Sequence, residues 1–231
     1  MRTGVLLVAA LAGLAAYERL VKPWQESWGA RPEEKAMDLP GDDQVAEPAT
    51  TVTRAITIDA APEEVWPWLV QIGADRAGFY SYAWAENLIG LHIRNADRIE
   101  PAWQQLSVGD TVYADRGRTG GWTVVDLVPG EALVLRLADV STGRPVSRRD
   151  PAAPGIGPVL DWEFAWIFAL LPEPHGRTRL LIRERVGHGS TSARVLLAPL
   201  GQVSFVMTRK MLLGIKERAE RVHPERAGSA T

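Results

Sequence analysis

The chain has no cysteine in its 231 residues. Disulfides, thiolate nucleophiles and thiolate metal sites are therefore excluded. It has only four histidines, His92, His175, His188 and His223. No HxxxH or HExxH spacing joins them, so no metal site is expected. An excess of one charge is missing too: 26 basic residues face 28 acidic ones, a net charge of −2. That leaves no basic face for a nucleic acid, and no nucleic-acid partner is expected. There is no G-x-S-x-G elbow and no phosphate-cradling glycine loop, so no nucleotide or other cofactor is expected. Gly117 to Gly121 reads as a turn between strands.

Tryptophan is plentiful by contrast, with nine against four phenylalanines. Each indole buries a large area and carries one N–H that needs a partner, so several should line a core or a pocket. Apolar residues make up 46% and charged residues 23%, the balance of a globular body. The length suits one domain of about 150–180 residues with extensions.

Residues 1–28 form a hydrophobic N-terminal segment. Val5 to Tyr17 is an uncharged run of thirteen residues after Arg2. As a helix it spans about 20 Å, short of the roughly 30 Å hydrocarbon core. It reads as a membrane anchor extended by Leu20 and Val21, with Tyr17, Trp24 and Trp28 as an interfacial belt. Arg19, Lys22, Arg31 and Lys35 after the run would put the domain on the cytoplasmic side. A cleaved signal, giving a secreted protein, and a soluble packing helix are the alternatives. Residues 29–50 read as an acidic linker: Pro32, Pro40 and Pro48 lie among Glu33, Glu34, Asp38, Asp42, Asp43 and Glu47, without apolar periodicity. The domain proper is 51–223, and 224–231 is a tail expected to be disordered.

Within the domain, Thr51 to Asp59 alternates as a strand, with Val52, Arg54, Ile56 and Ile58 on one side. Ala60-Ala61-Pro62-Glu63-Glu64 starts a helix that ends near Gly73. Tyr82 to Ile89 makes a second short helix. Strands come next at 110–115, 121–128 and 131–138, the last two joined by Pro129-Gly130. Leu160 to Leu171 is an aromatic strand in which Trp162, Phe164, Trp166 and Phe168 point one way. It pairs with 177–186, where Leu180, Ile182, Glu184 and Val186 face one side and Arg179, Arg183 and Arg185 the other. A long amphipathic helix closes the chain from about Ser192 to Val222, with Pro199 expected to divide it. Its apolar arc holds Val203, Met207, Met211, Ile215, Ala219 and Val222, with Ser204 and Thr208 inside it. The fold class is α+β, a helix-grip in which a curved antiparallel sheet wraps one long C-terminal helix. A cavity between sheet and helix is expected; a filled core is the alternative.

Three stretches carry a family resemblance. They are Arg54-Ala55-Ile56-Thr57-Ile58-Asp59-Ala60-Ala61-Pro62-Glu63-Glu64-Val65-Trp66, the segment from Gly78 to Gly90 with Asn95-Ala96-Asp97-Arg98-Ile99, and Met207 to Lys216. They resemble the START-like superfamily, also called SRPBCC or the polyketide cyclase/dehydrase and lipid-transport group, in an uncharacterised bacterial subgroup. The resemblance implies the helix-grip fold and an interior ligand cavity. It implies no particular chemistry, because carriers, cyclases, hydrolases and sensors share the fold.

Glu184 lies on the apolar side of its strand, where a lone carboxylate is desolvated and suits proton transfer. The alternatives are that an arginine pairs with it or that the strand has left the core there. Tyr80, Tyr82, Trp84, Glu86 and Asn87 form the densest polar-aromatic cluster and could orient a ligand. Helix capping by Ser81 is the plainer reading. Ser141 to Pro158, with four prolines and Arg144, Arg148 and Arg149, reads as a lid or a disordered loop. The expected function is binding of a hydrophobic small molecule or lipid, carried or sequestered at a membrane. Trp162, Phe164, Trp166 and Phe168 would form one wall, and Met207, Met211 and Ile215 the other. The alternatives are a cyclase or dehydratase in the same cavity and an interaction domain without a ligand.

Overall fold

The structure, a computed structural model, describes residues 12, 13, 15–146, 162–188 and 191–221, and only the backbone of 188 and 191–199. Most of the apolar run from Val5, most of the proline-rich loop to Pro158, Val222 and the tail at 224–231 lie outside the described residues. Among those described, no helix is long and apolar enough to cross a membrane.

A π-helical turn, Tyr17–Val21, leads into α1, Lys22–Glu26, and α2 is at Pro32–Ala36. Then come β1, Thr50–Ile58; α3, Pro62–Val70; and α4, Ala83–Leu88. The strands β2, Thr111–Tyr113; β3, Gly121–Val128; β4, Ala132–Asp139; and β5, Arg144–Pro145 come next. The chain ends with β6, Trp162–Glu173; β7, Arg177–His188; and α5, Thr191–Glu220. The Pro62 start of α3 behaves as its composition predicts: the Glu64 carboxylate turns back to accept the Ala61 N–H at 2.8 Å.

All strand pairs are antiparallel, in the order β1-β7-β6-β4-β3-β2, with β5 added to β4. The sheet curves around the long C-terminal helix, which defines a helix-grip fold. A bulge between Val124 and Asp126 strengthens the bend in β3. The β6–β7 register sets Phe164 opposite Val186 and Trp166 opposite Glu184, so the aromatic row and that carboxylate share the inner face. The main core lies under α5, with Leu133, Leu135, Phe168, Leu180 and Ile182 from the sheet and Leu212, Ile215 and Ala219 from the helix. The break expected at Pro199 does not occur; the helix runs through it.

Residues 29–50 are not a stand-off linker. They form a strap across the outer face of β1, β7 and β6, where Leu39 packs with Ala55, Ile167 and Leu181. The cause is charge. Arg179 donates from Nε to Glu34 Oε1 at 2.7 Å and from Nη2 to Glu34 Oε2 at 2.9 Å. Arg183 bonds Thr53 Oγ1 at 3.1 Å and the Glu34 carbonyl at 2.8 Å, and pairs with Asp42. Arg185 reaches the Val45 carbonyl at 3.0 Å and Asp42 at 3.3 Å. Three outward arginines on one strand need carboxylates and carbonyls once covered, and the acidic segment supplies them. Burial alone would raise the Glu34 carboxyl, but the Arg179 guanidinium and the Arg31 N–H outweigh it and hold it below the ordinary value.

Candidate functional site

Between the inner face of the sheet and α5 lies a cavity of about 1030 Å³ with mainly apolar walls. Strand alternation builds one wall: Trp162, Phe164 and Trp166 project from β6, joined by Trp122 of β3 and by Phe79. The rings brace one another. Trp122 and Trp166 lie 5.1 Å apart, Phe79 and Trp122 5.9 Å, and Trp166 and Phe168 4.9 Å. Met207 and Met211 of α5 form the facing wall, with Val52, Val186, Ile89, Leu91 and Ile93 around them. Tyr17, Lys22, Gln25 and Glu26 bring the N-terminal helical turns to the rim. Leu20, Trp24, Ile89, Leu200 and Val203 are exposed apolar side chains on these rim elements.

Two polar stations interrupt the apolar wall. In the first, Arg54 Nη1 meets Glu184 Oε1 at 2.9 Å with both side chains buried. Thr208 Oγ1 donates to the same oxygen at 2.8 Å, and Ser204 Oγ to Oε2 at 2.5 Å. Arg54 also bonds Ser204 Oγ at 3.1 Å and, through Nε, the Gln25 carbonyl at 2.9 Å. The charged groups are thus tied to each other and to neighbouring hydroxyls and carbonyls, which a buried ion pair requires. The sequence alternatives for Glu184 resolve toward arginine pairing, inside the cavity wall.

In the second station, Glu86 Oε1 accepts from Ser81 Oγ at 3.0 Å. Oε2 is buried and has no partner among the described residues. Burial raises the Glu86 carboxyl above its ordinary value, and the Ser81 hydroxyl opposes this only in part. Met207 stands between the stations: its Sδ lies 3.6 Å from Ser81 Oγ, and it sits on α5 between Ser204 and Thr208. The indole Nε1 atoms of Trp122, Trp162 and Trp166 are likewise buried without a partner among the described residues.

Not every residue singled out from sequence reaches the cavity. Tyr80 is buried behind it, accepting from Gln71 Nε2 at 2.8 Å and donating to the Trp68 carbonyl at 3.1 Å. Burial raises its phenol well above the ordinary value. Its backbone lies against α5, where a Cβ on Gly214 would come within 2.3 Å of the Tyr80 carbonyl oxygen. Tyr82 packs outside under Lys210, and Trp84 is 69% exposed. Asn87 clamps the next loop, donating to the Ile93 carbonyl at 2.9 Å and accepting its N–H at 2.6 Å. These neighbours in sequence do not form one cluster, because a short helix sends them to different sides. Phe168 and Ile215 are fully buried core residues outside the cavity lining. Ser204, Met207, Thr208 and Met211 do line it, with Trp162, Phe164, Trp166, Glu86 and Glu184. Sequence reading missed Arg54, Ser81, Phe79 and Trp122. The alternation of β1 had already placed Arg54 on the inner side with Val52 and Ile58.

The second of the stretches behind the family resemblance is bonded within itself and to the end of α5. Asn95 accepts the Tyr80 N–H at 2.8 Å and donates to the Ser81 carbonyl at 2.8 Å, while Asp97 pairs with Arg218 of α5 at 2.8 Å. These bonds fix the loop that carries Ser81 and Glu86. Among the described residues no group of three His, Asp or Glu is placed to hold a metal.

No family model matches the chain, and no curated protein matches it. Solved structures do resemble it at low identity. A Mesorhizobium loti protein is 18% identical over 74% of this chain and 98% of its own, with a TM-score of 0.41. DynU16, from the dynemicin biosynthetic locus, is 14% identical over 72% and 47%, with a TM-score of 0.38. Aha1 of Colwellia psychrerythraea is 15% identical over 73% and 98%, with a TM-score of 0.37. These scores are too low to carry function across, and the fold assignment rests on the strand order and terminal helix of this chain.

Proposed function

We propose that the protein binds a hydrophobic small molecule or lipid in the cavity between sheet and helix, as a START-like (SRPBCC) carrier or sequestering protein. The observation that carries this is the cavity itself: about 1030 Å³, at the upper end of the range of about 300–1,000 Å³ usual for ligand sites. Its walls suit such a ligand. Braced indoles present flat apolar area at small entropic cost, and two methionines adapt to the shape opposite. The exposed apolar side chains on the rim elements favour loading at a membrane surface, where an apolar ligand is found.

A second reading, a cyclase- or dehydratase-type enzyme, is favoured by one observation. Of the four glutamates in the cavity lining, the two buried ones stand in opposite surroundings, Glu184 beside Arg54 and Glu86 with one oxygen unpartnered among the described residues. A carboxylate held by a cation and one without a cation can take different parts in proton transfer.

Native mass spectrometry of the full chain purified from cells tests the first reading. A copurifying organic mass, lost when Met211→Trp and Val52→Trp fill the cavity, is the expected result. A folded protein that carries no such mass, and takes up no apolar fluorophore when offered one, would sink the reading. Conversion of the recovered ligand on incubation with fresh protein separates the enzyme from the carrier.

A further inference from the structure

We propose that a second pocket, separate from the apolar cavity, binds the phosphate group of an organic phosphate. It has a volume of about 640 Å³ and shares no lining residue with that cavity. The inference therefore stands whether or not the apolar cavity holds a ligand.

The two sites share a wall. In the stretch after α4, Leu91 and Ile93 line the cavity, and Arg94 to Arg98 line the pocket. After β2, Ala114 lines the cavity and Arg116 the pocket. The Arg116 N–H donates to the Leu91 carbonyl at 3.2 Å, which joins the two stretches. Further bonds fix this frame: the Ala96 N–H donates to the Ala77 carbonyl at 3.0 Å, and Arg218 Nε to the Ala96 carbonyl at 2.8 Å. A site carried on a bonded frame is held ready for its ligand.

Charge is what marks the pocket. Four arginines line it, Arg76, Arg94, Arg98 and Arg116, against two carboxylates, Asp97 and Glu100. That leaves an excess of two positive charges, in a chain whose net charge is −2. The nearby acids are engaged. Asp97 is bonded to Arg218 at 2.8 Å and Glu100 to Arg98. Asp75, next to Arg76, pairs with Arg118 at 3.1 Å, and Asp115, next to Arg116, accepts the N–H groups of Thr119 and Gly120. The side chains of Arg94 and Arg116 have no partner among the described residues, and Arg76 has one long bond, to the Val70 carbonyl at 3.4 Å.

Guanidinium groups keep their charge at any working pH and meet phosphate oxygens two at a time. A phosphate monoester carries about two negative charges at neutral pH, equal to the excess, whereas a carboxylate carries one. The pocket is larger than a bare phosphate needs, and Trp103 adds an indole to the same lining. An apolar body on the phosphate would pack there.

The test follows the phosphorus resonance of phenyl phosphate mixed with the full chain. In parallel it measures retention of the chain on phosphatidylcholine vesicles with and without phosphatidic acid, so that soluble and lipid sources of the phosphate are told apart. Wild type should broaden the phenyl phosphate signal or show extra retention with phosphatidic acid. Arg94→Ser with Arg116→Ser should weaken that response at least tenfold. Arg31→Ser with Arg177→Ser removes the same charge from the surface around Glu173 and should leave the response unchanged. Phenyl phosphate should bind more weakly below about pH 6, where the phosphate takes up its second proton. A response to neither probe overturns the proposal, and so does a response that both double variants lose equally. Inorganic phosphate should bind more weakly than phenyl phosphate, and equal binding overturns the part given to Trp103.

Discussion

The two faces of the sheet differ in how many of their buried polar atoms find partners, with Arg136 Nε unpartnered on the outer face among the described residues. On the outer face Arg179, Arg183 and Arg185 lie under the strap, bonded to carboxylates, carbonyls and hydroxyls. On the inner face the wall keeps three indole nitrogens and one carboxyl oxygen with no partner among the described residues. Both faces are buried, so burial does not explain the difference. A fully satisfied network fixes the position of a segment and adds specificity. A buried polar group left unsatisfied weakens the protein. The outer face is where residues 29–50 are tied to the sheet.

The sharpest way to break the comparison is on the outer face. Glu34→Ala leaves Arg179 buried without its carboxylate, a loss of about 3–5 kcal/mol. The midpoint of thermal unfolding, followed by circular dichroism, should fall by roughly 6–20 °C. The pH dependence has a definite sign. Because Glu34 is held below its ordinary value in the fold, its contribution is complete above that value and is lost as pH falls through the lowered one. The gap between wild type and Glu34→Ala should therefore narrow in acid. A gap unchanged across that range would mean that the strap is held by packing of Leu39 and Val45 alone.

The satisfied station on the inner face comes next. Glu184→Gln leaves Arg54 buried with a neutral partner and strands the Ser204 and Thr208 hydroxyls against a weaker acceptor. The expected loss is about 2–4 kcal/mol, short of full removal of the charge partner. The double change Arg54→Met with Glu184→Leu should recover most of it, because both charges leave together. If the double variant is stable but loses the apolar fluorophore, the pair serves the ligand; if it keeps the fluorophore, the pair is structural. Denaturant midpoints and a binding titration on the same variants read both.

Much of this contrast was legible in the sequence, unevenly. Alternation separated Glu184 from Arg179, Arg183 and Arg185 and put Trp162, Phe164 and Trp166 on one side, because period two is fixed by the strand itself. The same rule applied to β1 would have paired Arg54 with Glu184, since each is the one charged residue on an apolar side. The strap was harder. Residues 29–50 show no apolar period, and composition alone reads them as solvated. Their fit to three arginines far along the chain is a matter of pairing across the fold, which no local pattern carries. The dispersal of Tyr80, Tyr82, Trp84 and Asn87 was lost for a related reason. A left-handed backbone at Tyr80, with φ of 55°, turns the chain just before α4 in a way residue identities do not announce.

The smallest expected effect sharpens the comparison most. If the unpartnered Glu86 oxygen costs stability, removing it should stabilise the protein. Glu86→Leu replaces a desolvated carboxyl with an apolar side chain of similar volume, so the free protein should gain about 1 kcal/mol. The gain has its own pH signature, opposite to that of Glu34. A carboxyl raised in the fold contributes fully while protonated, and its contribution is lost as pH rises from the ordinary carboxylate value through the raised one. Wild type should weaken relative to Glu86→Leu over that rise, whereas Glu34 weakens the protein on the way down. Paired denaturant titrations of the two proteins across that range read the effect. A Glu86→Leu variant less stable than wild type at every pH would show that Ser81 and Glu86 form a structural contact, and the inner wall would then differ from the outer face only in how tightly it is packed.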